Sequence, residues 1–268
     1  DDILRPRRPQ PAGDAPVVRA IPRPLGTAIV RVGGLTAAMT GANRATLRAR
    51  AAEEDFHTIH LHPNQHAGYF PNASPLHLIV HFRRGDGLLL GAQAVGTEGV
   101  DKRIDVLATA IRSQLTVHDL IDLDLAYSPP YGQAKDPVNL AGMLGANVLD
   151  GTIRLWYAQE VETVLNTALV LDTRSRVEYA AGHLPGALNI PHTELRDRLA
   201  EVRQAAAGRP VRAMCAAGLR SYFAHRLLVQ SGFDSATLSG GILTLAAALG
   251  HRAAELISDA EQKVPARA

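Results

Sequence analysis

The sequence predicts two domains: an α+β unit with an antiparallel sheet over residues 26–151, then an α/β unit with a parallel sheet over residues 152–262. Three observations lead there. In the first unit strand-like segments precede amphipathic helices, and Asp86-Gly87 is a hairpin signal between two of the strands. After about residue 155, short apolar strands alternate with helices, the pattern of a parallel sheet covered on both faces. Ahead of both units, residues 1–25 hold six of the sixteen prolines, so a tail or linker is expected there.

The elements follow in order. Residues 27–32 read as a strand and 43–54 as a helix. Residues 56–62 and 76–82 alternate apolar and polar side chains with period two, and 88–95 is a more continuous apolar strand. Ile104, Leu107, Ala108, Ile111 and Leu115 recur on one face of a helix, with Arg103, Asp105 and Arg112 elsewhere on the cylinder. A further helix over 137–149 stops before Gly151. In the second unit the strands are expected at 168–172, 187–190, 210–215 and 236–238. A helical turn is expected at 176–181, and helices at 193–206, 219–230 and 242–249. No internal repeat is visible.

Composition narrows the function. With 268 residues, 46% of them hydrophobic and 20% charged, the chain reads as a soluble globular protein. A net charge of +2 and the lack of a basic stripe argue against nucleic acid as a partner. The longest apolar stretches, 88–96 and 240–250, are shorter than the roughly 20 residues that span a bilayer, so no membrane partner is expected. A single cysteine fits a reducing, cytoplasmic compartment. The chain opens Asp-Asp-Ile-Leu-Arg-Pro-Arg-Arg, with neither a secretory signal nor an initiator methionine, and is expected to be either a fragment or a truncated gene product.

The sharpest chemical signal is Cys215-Ala216-Ala217-Gly218-Leu219-Arg220-Ser221, placed directly after an apolar strand and opening a helix. Backbone N–H groups of such a loop converge on one concavity, where the helix dipole adds positive potential. A thiol at its centre is expected to have a lowered pKa, with its thiolate or persulfide stabilised. Gly218 can tighten the loop, and Arg220 offers a fork of donors to an anionic substrate. A buried core cysteine at a strand end is the plainer alternative.

Further segments carry a resemblance. Leu171-Asp172-Thr173-Arg174, Glu178-Tyr179, Gly182-His183-Leu184-Pro185-Gly186-Ala187-Leu188-Asn189-Ile190-Pro191 and Leu238-Ser239-Gly240-Gly241 resemble, in order and spacing, the signature of the rhodanese family. The resemblance implies a five-stranded parallel α/β fold and transfer of sulfane sulfur through a persulfide on Cys215. Ala216 to Ser221 would form the substrate-anion loop, with small sulfur donors and thiol acceptors as partners. Asp172, Arg174, Glu178 and His183 match framework positions. Related phosphatases place five residues between their cysteine and arginine; four stand here, a smaller cradle.

The first unit resembles another family. Leu35-Thr36-Ala37-Ala38-Met39-Thr40-Gly41, His62-Pro63-Asn64-Gln65-His66-Ala67-Gly68-Tyr69, Gly91-Ala92-Gln93, Gly99-Val100-Asp101-Lys102-Arg103-Ile104-Asp105, Ala126-Tyr127-Ser128-Pro129-Pro130-Tyr131 and Lys135-Asp136-Pro137-Val138-Asn139 are similar to the dimerisation domain of pyridine nucleotide-disulfide oxidoreductases, in the coenzyme A-disulfide reductase branch. The resemblance implies a homodimer through residues 26–151, with Tyr69 and Tyr127 reaching the partner's redox site. FAD, NAD(P)H and coenzyme A are implied for the full-length family enzyme. The family's two Gly-x-Gly-x-x-Gly turns and its redox cysteine have no counterpart here, so this chain alone is expected to bind no cofactor. His57, His60, His62 and His66 are dense enough to consider a metal, but carboxylates near them are few and no metal is expected. The resulting expectation is a sulfurtransferase forming the C-terminal part of a coenzyme A-disulfide or persulfide reductase. The alternative is a non-catalytic, dimerising sulfur carrier or sensor.

Overall fold

The computed structural model describes residues 24–50 and 55–257. All but two residues of the expected tail, and the last turn of the expected 43–54 helix, lie outside that range.

The first sheet is antiparallel with strand order β1-β2-β5-β4-β3, from β1 (Ala28–Val32), β2 (Leu35–Gly41), β3 (Phe56–Leu61), β4 (Leu76–Arg83) and β5 (Leu89–Gly96). β4 and β5 are joined as Asp86-Gly87 predicts. The Asp86 carboxylate accepts from the Leu88 N–H at 3.1 Å, and Gly87 N–H bonds back to the Arg83 carbonyl at 2.9 Å. The sequence reading missed β2. Its alternation is carried by small side chains, with Ala38 and Thr40 facing the core, and Gly33-Gly34 makes only the short turn between Val32 and Leu35.

Helices α2 (Val100–Arg112) and α3 (Pro137–Leu149) follow α1 (Arg44–Arg48) and cover one face of this sheet. Ile104 and Leu107 of α2 pack with Leu76, Leu78, Val80 and Phe82 of β4. Burying side chains of this size stabilises a fold by about 1.5–3 kcal/mol each. Arg103 lies off that apolar stripe, yet it is 1% exposed. Its guanidinium donates to Asp136 at 2.8 and 3.3 Å and to the Gln65 carbonyl at 2.7 Å. Asp136 in turn accepts from the Val138 N–H at 3.0 Å as the N-cap of α3. One buried pair therefore joins α2, α3 and the loop after β3.

The second sheet is parallel with order β6-β10-β9-β7-β8: β6 (Leu155–Trp156), β7 (Leu169–Asp172), β8 (Leu188–Asn189), β9 (Val211–Met214) and β10 (Ser235–Leu238). Its helices are α4 (Val161–Thr167), α5 (Arg176–Ala180), α6 (Leu199–Ala206), α7 (Leu219–Gln230), α8 (Gly241–Leu249) and α9 (Ala253–Leu256). Two core clusters, around Trp156, Val170 and Met214 and around Leu171, Val202 and Leu228, sit on opposite faces of the sheet. β6 and α4 were not expected from the sequence. The expected 193–206 helix begins only at Leu199; before it, Asp197 and Arg198 N–H groups bond three residues back, making successive tight turns. Glu194 anchors those turns through ion pairs with Arg176 and Arg198. No described helix is long and apolar enough to cross a membrane.

Asp136→Ala is expected to cost about 3–5 kcal/mol of stability, because it strands a buried guanidinium and uncaps α3. Urea unfolding of the variant against the parent measures it.

Candidate functional site

Cys215 lies between β9 and α7, at the carboxyl end of a central strand, where open parallel sheets bind ligands. The residue is 1% exposed and its thiol is free. Gly218, the N-cap of α7, adopts φ 112°, and its N–H donates to Cys215 Sγ at 3.1 Å. The sulfur is therefore held by a backbone donor at the positive end of a twelve-residue helix.

A second turn supports the loop from below. Ile242 N–H donates to the Cys215 carbonyl at 2.9 Å and Leu243 N–H to the Ala216 carbonyl at 3.2 Å. These donors open α8, so two helix N-termini meet at one loop. Gly241 has φ +63°, and a Cβ there would stand 2.5 Å from both the Cys215 and the Ala216 carbonyl oxygens. The sequence segment Leu238-Ser239-Gly240-Gly241 is thus the floor of the cysteine loop, a role that sequence reading did not give it.

Arg220 is engaged rather than open. Its two terminal nitrogens donate to the Glu178 carboxylate at 2.7 and 2.6 Å. Glu178 also receives the Ser175 N–H at 3.0 Å as part of the α5 capping box. Arg220 holds the Glu178 carboxyl well below its ordinary range, at about 2, and is itself pushed up, chiefly by the same hydrogen bonds. Arg220, expected to offer an open fork of donors, is instead paired with Glu178, a residue expected to serve the framework.

Asp172, Arg174 and His183 sit as supports. The fully buried Asp172 accepts from Arg174 at 2.6–3.0 Å, and Arg174 reaches the Gly182 carbonyl at 2.7 Å. His183 donates through Nδ1 to the Tyr179 carbonyl at 3.0 Å and stacks on the Tyr179 ring. Beneath α7 runs a polar layer that sequence reading missed. Thr237 donates to Ser221 Oγ at 2.7 Å, and Ser221 donates to the Gly218 carbonyl at 3.0 Å. His225 accepts the Arg154 N–H at Nε2, which leaves the Nδ1 proton for Ser235 Oγ at 3.1 Å. The one signal for this layer was the run of hydroxyls along β10, Ser235 and Thr237, in a strand with no exposed face.

The residues singled out in the first unit fall in two places. Tyr69 and Tyr127 meet through their hydroxyls at 3.3 Å and are 78% and 47% exposed. His60 bonds Ser239 at 2.8 Å, and His62 bonds Thr244 at 2.7 Å and His77 at 2.6 Å, so these histidines join the first unit to the second. Tyr157 adds to that junction by donating to the Thr58 carbonyl at 3.0 Å. His66 bonds the Pro71 carbonyl, and His57 lies against Phe82. Among the described residues no group of three or more histidine, cysteine or acidic side chains is gathered to hold a metal ion. Gly33-Gly34 turns one antiparallel strand into the next and does not lead into a helix N-terminus.

Comparison with known proteins follows the same division. Residues 27–137 match the pyridine nucleotide-disulphide oxidoreductase dimerisation domain, and residues 156–248 match the rhodanese-like domain. The chain is 42% identical over 118 residues to the coenzyme A disulfide reductase of Staphylococcus aureus (strain bovine RF122 / ET3-1), covering 44% of this chain and 26% of that protein. The structure of reduced Bacillus anthracis CoADR-RHD is similar with TM-score 0.81 and 39% identity, over 87% of this chain and 40% of that one. A NAD-dependent persulfide reductase from A. fulgidus follows with TM-score 0.74 and 36% identity, over 82% of this chain and 39% of that one. The chain thus spans about a quarter of the curated relative and about two fifths of the two solved chains.

Two outcomes are expected of the site. Gly241→Ala should cost about 1–3 kcal/mol and move the cysteine loop, since its φ and the two carbonyls both oppose a Cβ; unfolding and thiol accessibility report it. Burial holds His57, His60, His62 and His225 down at about 4, against 6.5 when unfolded. Between those values the unfolded chain binds more protons, so the histidines' stabilisation is complete above pH 6.5 and is lost as pH falls towards 4. Denaturant midpoints measured across that window should fall with acidification.

Proposed function

Starting from a pyridine nucleotide-disulphide oxidoreductase dimerisation domain followed by a rhodanese-like domain, we propose that the chain is a sulfurtransferase that carries sulfane sulfur as a persulfide on Cys215. The observation that carries this reading is Cys215 Sγ held 3.1 Å from the Gly218 N–H at the start of α7, with Arg220 beside it. In the forward step the Cys215 thiolate attacks the outer sulfur of a donor such as thiosulfate. A new S–S bond forms, the donor's S–S bond breaks, and its electron pair leaves with sulfite. The loop N–H groups then hold the persulfide anion until an acceptor thiol takes the sulfur. Arg220 orients the anionic donor, and Glu178 offsets the charge and fixes the guanidinium in place.

The whole protein is proposed to be a flavin-dependent coenzyme A-disulfide or persulfide reductase whose FAD and NAD(P)H domains are not part of this chain. Its relatives bear the names coenzyme A disulfide reductase and NAD-dependent persulfide reductase. The first domain is proposed to form a homodimer in which the exposed Tyr69–Tyr127 pair faces the partner's redox site. A second reading, a sulfur carrier without turnover, draws on the near-complete burial of Cys215 and the engagement of Arg220 by Glu178.

Incubation with thiosulfate should add one sulfur atom to the parent and none to Cys215→Ser, read by intact mass, and multiple turnover with cyanide separates transferase from carrier. Arg220→Ala should raise KM for thiosulfate about tenfold or more through the loss of a charge-assisted contact. Glu178→Gln should lower it by removing the competing carboxylate; equal KM values in both variants would remove Arg220 from the site. For the dimer, sedimentation at micromolar concentration should give twice the chain mass.

A further inference from the structure

Two histidines of the first domain hold the turn on which the cysteine loop rests. His60, on β3, and His62, just past its end, are two positions apart and so point to one side of the strand. His60 Nδ1 shares a hydrogen bond of 2.8 Å with Ser239 Oγ, and His62 Nε2 shares one of 2.7 Å with Thr244 Oγ1. Ser239 and Thr244 bracket the first turn of α8, whose Ile242 and Leu243 N–H groups bond the Cys215 and Ala216 carbonyls. That turn has little of its own to fix it. Gly240, the N-cap, gives it no side-chain cap, and the Thr244 N–H stands 3.5 Å from the Gly240 carbonyl. Ser239 is 3% exposed, and its hydroxyl, beside the uncapped end, is turned to His60. The fit is close as well as polar: a Cβ on Gly240 would stand 2.8 Å from His60 Cβ.

Burial holds both imidazoles down at about 4, so at neutral pH each is uncharged, with one nitrogen donating and the other accepting. We propose that His60 and His62 are positioning residues for Cys215. From the first domain they fix the α8 turn, the turn fixes the Cys215 and Ala216 carbonyls, and the loop so pinned presents the Gly218 N–H to Sγ. The docked first domain is thus part of the sulfur site without touching the sulfur, and its effect on turnover rests on the sulfur-transfer reading. His62 is itself anchored: its Nδ1 meets Nδ1 of His77, on β4, at 2.6 Å, which roots the bridge in the first sheet. Tyr157 binds the Thr58 carbonyl, two residues before His60, and keeps β3 in place over the turn.

Amide hydrogen exchange of the full chain, followed residue by residue, tests the relay. His60→Leu and His62→Leu should each speed exchange at Ile242 and Leu243 about fivefold or more, the population equivalent of one lost hydrogen bond. The Leu169 and Val211 amides, which bond the Pro210 and Asp234 carbonyls at the opposite end of the strands, should keep the parent rates. The kcat for sulfur transfer from thiosulfate to cyanide should fall about threefold or more while KM for thiosulfate stays within about twofold, because Arg220 is untouched. His60→Asn and His62→Gln, whose amides stand near the positions of Nδ1 and Nε2, should restore most of the protection and of the rate. Ser239→Ala and Thr244→Val remove the same hydrogen bonds from the other side and should reproduce the leucine variants, which covers a histidine variant that fails to fold. Parent-like exchange at Ile242 and Leu243 in the leucine, alanine and valine variants would overturn the positioning role, as would equal acceleration at Leu169 and Val211. Exchange decides this role by itself; a parent chain that transfers no sulfur would overturn the sulfur-transfer reading instead.

Discussion

The second domain is organised by one steric constraint: two backbone turns pass so closely that Gly241 has no room for a side chain. The carbonyls of Cys215 and Ala216 point at the first N–H groups of α8, and the space a Cβ of Gly241 would fill is already taken. Those carbonyls would otherwise be unpaired acceptors in a buried loop, a cost of about 1–3 kcal/mol each. With the carbonyls satisfied from below, the Gly218 N–H is left to face the sulfur. The polarity of the cradle therefore comes from the direction in which its peptide planes are pinned. Ser221 and Thr237 extend the same pinning under the first turn of α7.

Buried ion pairs play the corresponding part in holding elements in register. Arg103–Asp136 ties two helices and a loop in the first domain, and Asp172–Arg174 ties the end of β7 to the turn at Gly182 in the second. Each arginine also satisfies a backbone carbonyl, which is why such costly charges are retained in a core. Arg220–Glu178 is different in kind: it is partly exposed, so its strength is moderated by solvent, and it ties the first turn of α7 to α5.

The sequence made the two-domain architecture and the cysteine loop legible, since both depend on local periodicity and on residues adjacent in the chain. The antiparallel hairpin at Asp86-Gly87 and the strand–loop–helix around Cys215 are of this kind. Features were lost where a side chain's partner lies far along the chain. Arg103 looks like a solvated residue on a helix until Asp136, 33 residues away, arrives beside it. Arg220 looks open until Glu178, 42 residues away, meets it. His60 and His62, weighed as metal ligands for their spacing and set aside, gave no sign that each would find a hydroxyl of the other domain. Strand β2 was missed for a local reason: alanines and threonines bury a face without an apolar signature strong enough to read.

The burial of the lone thiol has a kinetic meaning. Cys215 is the only cysteine in the chain and is 1% exposed, so an alkylating reagent can react only when the loop opens. Where reclosing is faster than alkylation, the modification rate scales with the population of the open loop, a local free energy distinct from that of global unfolding. The chain thus carries its own single-site gauge of how often the cradle breathes, in a position where any bound molecule that braces the loop would slow the clock.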